Sequence, residues 1–360
     1  MLRMIRKARI SQWLLEGEER KSKKNMSILF LGGGAEKTYL AELAFSGGYS
    51  ETLIGKEWMW NLLRATKKNS ADIVVVTNTG PRLHQYLSDG NVFYIPNWVK
   101  GEIVFSDALA RMKTSGHLKS DLRRIRKNGF EFELTHSPSR YDDFFNTMYV
   151  PYISKAYGRT AQLMSYERMK EYEGRSELML VTRNGEPLAG QILVYENDRV
   201  RCWSIGVKDG NHEYVKMGAQ AALYWYEIQY LSDRGYKVMH VGSSRAFLND
   251  GVLRFKNKWG MRMLNPSPKG FMLKPLRKSE GAMSFLVNNP FIHIDSDKYV
   301  GIVFANDSQS TNNGRDIYAP YCSLGLASLK VYTDIGLEQN SVVQDGREDG
   351  ISIVATETLI

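Results

Sequence analysis

Residues 177–260 read ELMLVTRNGEPLAGQILVYENDRVRCWSIGVKDGNHEYVKMGAQAALYWYEIQYLSDRGYKVMHVGSSRAFLNDGVLRFKNKWG. Asn184-Gly185 lies between two apolar-rich runs and is the strongest short hairpin signal, because both residues accept the positive φ of a type I′ turn. Strands are therefore expected over Glu177–Arg183 and Glu186–Tyr195. A third, Arg199–Val207, follows after Asn197-Asp198, so the three form an antiparallel meander. Gly190, inside the middle strand, reads as a bulge.

The hydrophobic period then changes. Met217, Ala221, Tyr224, Trp225, Ile228 and Leu231 share one face of a helix, and Gly235 is a natural stop for it. Lys237–Val241 is the next strand. It ends in the small-residue loop Gly242-Ser243-Ser244-Arg245, at a carboxyl edge where α/β sheets bind ligands. A last short helix is expected from Asp250 to Trp259. Asp250 reads as its N-cap, and Arg254 is one turn on, within reach of Asp250. Val252, Lys256 and Trp259 fall on one stripe of this helix. A lysine there either extends its head to water or lines a site in which its charge steadies developing negative charge. Cys202, beside Trp203, reads as core rather than as a nucleophile.

Upstream, residues 26–110 alternate strand and helix signals, which is an α/β pattern. Ser27–Leu31 is a strand closed by Gly32-Gly33-Gly34. Helical stretches are expected at Glu36–Phe45 and Glu51–Lys67, with strands at Asp72–Val76 and Val92–Ile95. The triple glycine fits a tight turn better than a phosphate loop, since GGGAEK has neither nucleotide-binding spacing. Leu118–Lys127 is a basic helix before the strand Phe130–Thr135. Ser139–Tyr157 is aromatic-rich and interrupted by Pro151. After residue 275 the strand-like pieces Phe291–Ile294 and Tyr299–Phe304 precede Ser/Asn/Asp-rich sequence, together expected to be an ordered extension with a mobile end.

The whole chain has 360 residues, 43% of them hydrophobic and 24% charged, which excludes a disordered or fibrous protein and leaves room for two domains at roughly 150 residues each. The longest apolar runs are of strand length, short of the ~20 residues of a membrane-spanning helix. Two cysteines, Cys202 and Cys322, make no disulfide framework, so a reduced, cytoplasmic setting is expected. The net charge of +9 is uneven. Residues 1–25 carry eight bases against three acids, and residues 111–127 seven bases against Asp121 alone, whereas residues 308–360 have three bases and seven acids. The first 25 residues read as a basic amphipathic helix or arm without the apolar core of a secretory signal, suited to weak contact with the inner membrane face. The helix 118–127 suits a polyanion such as tRNA. The six histidines are scattered, so no metal is expected.

Taken together, the NG hairpin with Pro187-Leu188-Ala189-Gly190, the helix Met217–Leu231 closed by Gly235-Tyr236, the strand-loop Val241-Gly242-Ser243-Ser244 and the run Phe255-Lys256-Asn257-Lys258-Trp259-Gly260 resemble the acyl-CoA N-acyltransferase (GNAT) superfamily. Within it they are similar to the branch of Fem-type aminoacyltransferases and polysaccharide-cluster acetyltransferase-like proteins. Met148-Tyr149-Val150-Pro151-Tyr152 resembles the aromatic helix that precedes the domain there. The resemblance implies an α/β (α+β) chain with a GNAT-like fold, a tandem pair whose N-terminal copy is partial, and a C-terminal extension. The corresponding divisions are 1–25, 26–115, 116–275 and 276–360.

The same resemblance implies an acyltransferase in which Phe255 and Lys256 stand at the transfer centre, Lys256 stabilising the oxyanion. Acyl-CoA would be held by Lys216, Gly218, Ser243 and Ser244. Tyr149, Tyr152, Arg245, Asp250 and Arg254 are the candidates for binding the acceptor, an amine such as an amino sugar of cell-envelope or exopolysaccharide biosynthesis in a bacterium. The stretch Val215-Lys216-Met217-Gly218-Ala219-Gln220 departs from the superfamily's pyrophosphate signature at Val215 and Gln220, which keeps open a Fem-type reading with aminoacyl-tRNA as donor and a cell-wall precursor as acceptor. A non-catalytic GNAT-like binding module is the third reading.

Overall fold

The computed structural model describes residues 9–58, 70–79, 92–197, 199–267, 269–305, 318–333, 342–344 and 352–357. They divide into two compact units, one made of Met1–Val99, Ser244–Arg254 and Asn265–Ile360, the other of Lys100–Ser243 and Phe255–Leu264. In chain order the first elements are β1 (Arg9–Glu18), β2 (Asn25–Leu31), α1 (Ala35–Ala44), β3 (Ser50–Trp58), β4 (Ile73–Thr79) and β5 (Phe93–Pro96). Next come β6 (Val99–Val104), α2 (Phe105–Thr114), α3 (Gly116–Lys127), β7 (Glu131–Thr135) and α4 (Pro138–Asp143). A π-helical turn, Phe144–Tyr149, leads into α5 (Val150–Tyr157), followed by α6 (Tyr166–Lys170). The strands β8 (Ser176–Arg183), β9 (Glu186–Glu196) and β10 (Arg199–Val207) precede α7 (His212–Met217), α8 (Ala219–Asp233), β11 (Val238–Ser244), α9 (Gly251–Lys258) and β12 (Met261–Met263). The chain continues with β13 (Gly270–Pro275), α10 (Glu280–Asn288), β14 (Phe291–Asp295), β15 (Lys298–Ala305), β16 (Leu326–Thr333), β17 (Val342–Gln344) and β18 (Ser352–Glu357).

The second unit is built on a seven-stranded sheet in the order β12-β6-β11-β10-β9-β8-β7. Asn184 and Gly185 have φ of 52° and 79°, the two positive values a type I′ turn requires. They pair Arg183 with Glu186 and set the register of β8 on β9. The antiparallel series β7-β8-β9-β10 ends where β10 lies parallel to β11, a connection that needs a crossover. Helices α7 and α8 supply it. Helix α8 stops at Gly235, φ 85°, where the Tyr236 amide donates to the Leu231 carbonyl, a left-handed C-terminal closure.

Gly190 is not a bulge. It pairs regularly with Leu180 on one side and Gly206 on the other, and the register shifts fall at Val181/Thr182 and Cys202/Ser204 instead. The two glycines make a bare patch that receives the π-helical turn. A Cβ on Gly190 would stand 2.8 Å from Phe144, and one on Gly206 would stand 2.6 Å from the Tyr149 amide nitrogen. Phe144, Met148 and Tyr149 then join Leu178, Leu180, Ile192 and Val194 in a buried cluster. Pro151 sits in the first turn of α5, directly after the π-helical turn.

The first unit holds a six-stranded sheet, β3-β1-β2-β4-β13-β5, and a five-stranded one, β14-β15-β16-β18-β17. In the six-stranded sheet three antiparallel strands are followed by a parallel neighbour, β4 beside β2, the same logic as β8-β9-β10 beside β11. The α/β (α+β) class read from the sequence therefore describes both units.

Two further expectations are corrected. Within 1–25, Arg9–Glu18 is a strand rather than an amphipathic helix, because it pairs on both edges, with β2 and with β3. The basic cluster after it is a turn organised by Glu19, which is fully buried and accepts from the amides of Lys21 and Ser22 and the hydroxyl of Ser284. Residues 1–8 lie outside the described residues. Ser50–Trp58, read as helical in part, is a strand on β1 for the same reason; 59–67 of that expected helix are outside the described residues, as are the Ser/Asn/Asp-rich stretch 306–317 and residues 358–360 of the expected mobile end. The strand-like pieces of the tail are β14 and β15.

Gly206→Ala is expected to destabilise by about 1–3 kcal/mol through overpacking against the π-helical backbone. Gly116→Ala, with open space around its Cβ position, should stay within about 0.5 kcal/mol. Denaturant midpoints of the two variants check this, and equal midpoints would contradict the packing account.

Candidate active site

In the second unit the parallel pairing of β10 with β11 is confined to Val200 with Met239 and Arg201 with His240. Past that point β10 carries a register irregularity at Cys202/Ser204 against β9, and β11 passes through Gly242 with φ 68°. Strands that diverge leave main-chain donors and acceptors to be satisfied by something else, and an extended ligand chain can satisfy them as an added strand would.

Side chains with reactive character gather there. Lys256 of α9 is only 6% exposed, and its ammonium donates to the Ser243 carbonyl at 2.9 Å. Cys202 of β10 donates to Oε2 of Glu227 at 3.7 Å. Glu227, from α8, is fully buried, and its Oε1 has no hydrogen-bond partner among the described residues. Burial pushes the Glu227 carboxyl up to about 8, against the lowering effect of the Cys202 bond. Burial and the neighbouring Glu227 push the Cys202 thiol well up, with Lys256 opposing. A thiol held in that state is no thiolate nucleophile. Phe255 is half-buried, its ring 4.9 Å from Tyr224 in an edge contact. Burial raises the Tyr224 hydroxyl as well, reinforced by Cys202, Glu227 and Tyr152.

Glu227 is the residue the motif reading missed. It lies three residues after Tyr224 and four before Leu231, inside the apolar stripe of α8. An acid at helical spacing within that stripe was the available signal.

The start of α8 is a second cluster in the same unit. Gly218, φ 99°, ends α7 and begins α8, and no side chain caps the new helix; helix starts of this kind can face an anion. A Cβ on Gly218 would stand 3.3 Å from the stem of Arg124, and Asn128 ties α3 to this junction by donating to the Met217 carbonyl at 2.9 Å. Lys216 is exposed and pairs with Glu213 at 2.8 Å. Tyr152 accepts from the Gln220 side chain at 2.8 Å. Tyr149 is instead part of the buried cluster, its hydroxyl accepting from the Met164 amide. Helix α3 buries Leu118, Leu122 and Ile125 and exposes Lys119, Arg123, Arg124, Arg126 and Lys127. Its buried Asp121 is paired with Lys258.

The remaining candidates belong to the first unit. Ser244 is buried with its hydroxyl unpartnered among the described residues. Asp250 caps α9, accepting from the Leu253 amide at 2.8 Å, while Arg254 is exposed. Arg245 is buried beside Tyr39 and Trp98. The triple glycine is a strand-to-helix turn: Gly32 donates to the Ser11 carbonyl, and Gly34 opens α1. No group of three or more His, Cys, Asp or Glu side chains able to hold a metal occurs among the described residues.

Residues 112–257 match the family model of the acetyltransferase (GNAT) domain. This part of the chain is a GNAT-superfamily domain, and its class is that of an acyltransferase. No curated protein sequence matches the chain significantly. Among solved structures, the chain is similar to the structure of L-PGS from Bacillus licheniformis, at 11% identity, 72% and 80% of the two chains covered and a TM-score of 0.35. It is also similar to FemX, at 11% identity, 73% and 84% covered and a TM-score of 0.35. A GCN5-related N-acetyltransferase-like protein from Streptococcus suis is similar at 9% identity, 73% and 83% covered and a TM-score of 0.29.

The Glu227 environment has a measurable sign. Its folded carboxyl titrates near 8, above its unfolded value of about 4.3, so between those values the folded chain holds a proton that the unfolded chain has released. Its contribution to stability is complete below pH ~4.3 and is lost as pH rises through about 8. Glu227→Gln, which cannot ionise, should therefore gain stability relative to wild type as pH rises from about 5 to 9. A difference in unfolding free energy that is flat or falls over that range would remove the buried neutral carboxyl.

Proposed function

We propose that the second unit transfers an acyl group, acetyl in the simplest case, from acyl-CoA to the amine of an amino sugar in cell-envelope or exopolysaccharide biosynthesis. The observation that carries this reading is the buried Lys256 ammonium, fixed on the Ser243 carbonyl where β10 and β11 part. Acyl-CoA supplies an activated thioester. The chain supplies the rest. Lys256 steadies the negative charge that develops on the acyl carbonyl oxygen as the amine attacks, and a donor preorganised in a dry site acts most strongly there. Glu227 titrates close to working pH in the same cluster, which suits exchange of the amine proton. Phe255 and Tyr224 form the apolar wall.

The uncapped start of α8 at Gly218, with Arg124 beside it and Lys216 nearby, fits the pyrophosphate of the donor. Ser243, near the end of β11, is proposed for its extended arm. Tyr152 is proposed for the acceptor side; Tyr149, whose hydroxyl is already engaged, serves packing. Asp250 shapes the start of α9, and Arg254 is open to solvent. No helix among the described residues is long and apolar enough to cross a membrane. The proposed setting is the cytoplasm of a bacterium.

A second reading has its own observation. The exposed cationic face of α3 suits a tRNA backbone, which would make the donor an aminoacyl-tRNA and the acceptor a cell-wall precursor, as in Fem-type enzymes. Calorimetric titration with acetyl-CoA and with bulk aminoacyl-tRNA at two salt concentrations separates the two. Binding of acetyl-CoA alone supports the first, and tRNA binding that weakens steeply with salt supports the second. With the donor identified, Lys256→Ala should lower kcat roughly ten- to several-hundred-fold while the circular dichroism spectrum is retained. Unchanged turnover would take Lys256 out of the mechanism.

A further inference from the structure

The first unit contains a cation that its own side chains surround without neutralising. Arg245, in the segment after β11, is 8% exposed. Its guanidinium carbon lies 4.1 Å from the ring centre of Tyr39 and 4.0 Å from that of Trp98. Tyr39 comes from α1 and is backed by Phe247, ring centres 5.9 Å apart. Trp98 precedes β6. Two carboxylates act on Arg245 through space, Glu36 and Asp250. Both face other donors: Glu36 accepts from the Asn97 side chain at 3.4 Å and Asp250 from the Leu253 amide. Among the described residues, no acceptor is hydrogen-bonded to the guanidinium and no acid forms an ion pair with it.

Arginine is seldom buried unless paired. Aromatic rings attract the faces of a guanidinium, but its five N–H donors lie in its plane and point outward from the edge. The rings therefore hold the group flat and leave its hydrogen-bonding edge for another partner. A planar two-oxygen acceptor matches that fork. The nearby negative charges of Glu36 and Asp250 disfavour a dianionic phosphate more than a singly charged carboxylate.

We propose that Arg245 anchors a ligand site in the first unit that binds a carboxylate group, gripped by the guanidinium edge between Tyr39 and Trp98. The site recognises a small acid or the carboxylate end of a larger molecule. It belongs to the first unit alone and stands whether or not the second unit transfers acyl groups.

The test is calorimetric titration of the full chain, at constant ionic strength, with N-acetylglycine, with its neutral match N-acetylglycinamide, and with inorganic phosphate. N-acetylglycine should give saturable heat and the amide none. Arg245→Gln should weaken N-acetylglycine binding at least roughly tenfold. Arg245→Lys, which keeps the charge but loses the planar fork, should weaken it by about three- to tenfold. If Arg245→Gln does not fold, Arg245→Lys and the acid–amide comparison in the wild-type protein decide the matter. The proposal is overturned by absence of saturable binding of N-acetylglycine, by equal binding of the amide, or by tighter binding of phosphate. It is also overturned if the Arg245 variants melt earlier but bind N-acetylglycine unchanged, which would make the arginine a packing element only.

Discussion

The second unit depends on how little of β10 is paired with β11. Two residue pairs join the strands, and beyond Arg201 and His240 the ladder pairing stops. A parallel pair must be connected by a crossover, so α8 lies between them in sequence; it packs against β8 and β9 and turns Glu227 to Cys202 of β10. That placement puts Glu227 of α8 beside Cys202 of β10, and it puts the carbonyl of Ser243, near the end of β11, within reach of Lys256. Buried polar atoms are ordinarily satisfied. Here Oε1 of Glu227 has no hydrogen-bond partner among the described residues, which is the physical character expected of a binding slot.

The chemistry of the cluster follows from burial more than from any one pair. Desolvation penalises charge, and it acts on Glu227, Cys202 and Tyr224 in the same direction, towards the protonated form. Lys256 is the ammonium in their midst. Its ammonium donates to the Ser243 carbonyl, an oxygen dipole turned towards the buried charge. Negative charge developing nearby would be stabilised in a medium of low dielectric constant, where such interactions are strongest. On the outer side, Asp121 keeps Lys258 paired, so two lysines two residues apart on one short helix meet opposite surroundings.

The first unit solves related problems with different residues. A fully buried Glu19 gathers the amides of the β1–β2 turn, and Asp72 does the same for Ser27, whose amide and hydroxyl it accepts at 2.8 and 3.0 Å. Each carboxylate sits where a turn or strand end would otherwise leave donors unpaired. Arg245 is the exception, since it is surrounded by rings and has its edge uncommitted.

Local chemistry was readable from the chain alone. Asn184-Gly185 determined a hairpin because only such residues accept two successive positive φ values. Gly235 ended α8, and Asp250 capped α9. The apolar spacing of Tyr224, Ile228 and Leu231 showed which face of α8 turns inward. What lay beyond local reading is set by partners distant in sequence. Arg9–Glu18 and Ser50–Trp58 are strands because each finds an edge to pair with, a fact their own residues do not encode. Gly190 and Gly206 are glycines because a π-helical turn about forty to sixty residues earlier lies on them. Glu227 acquires its raised carboxyl, Lys256 its carbonyl and Arg245 its two rings only when strands and helices far apart in the chain close around them, since burial and electrostatic neighbourhood are properties of three-dimensional proximity and not of sequence order.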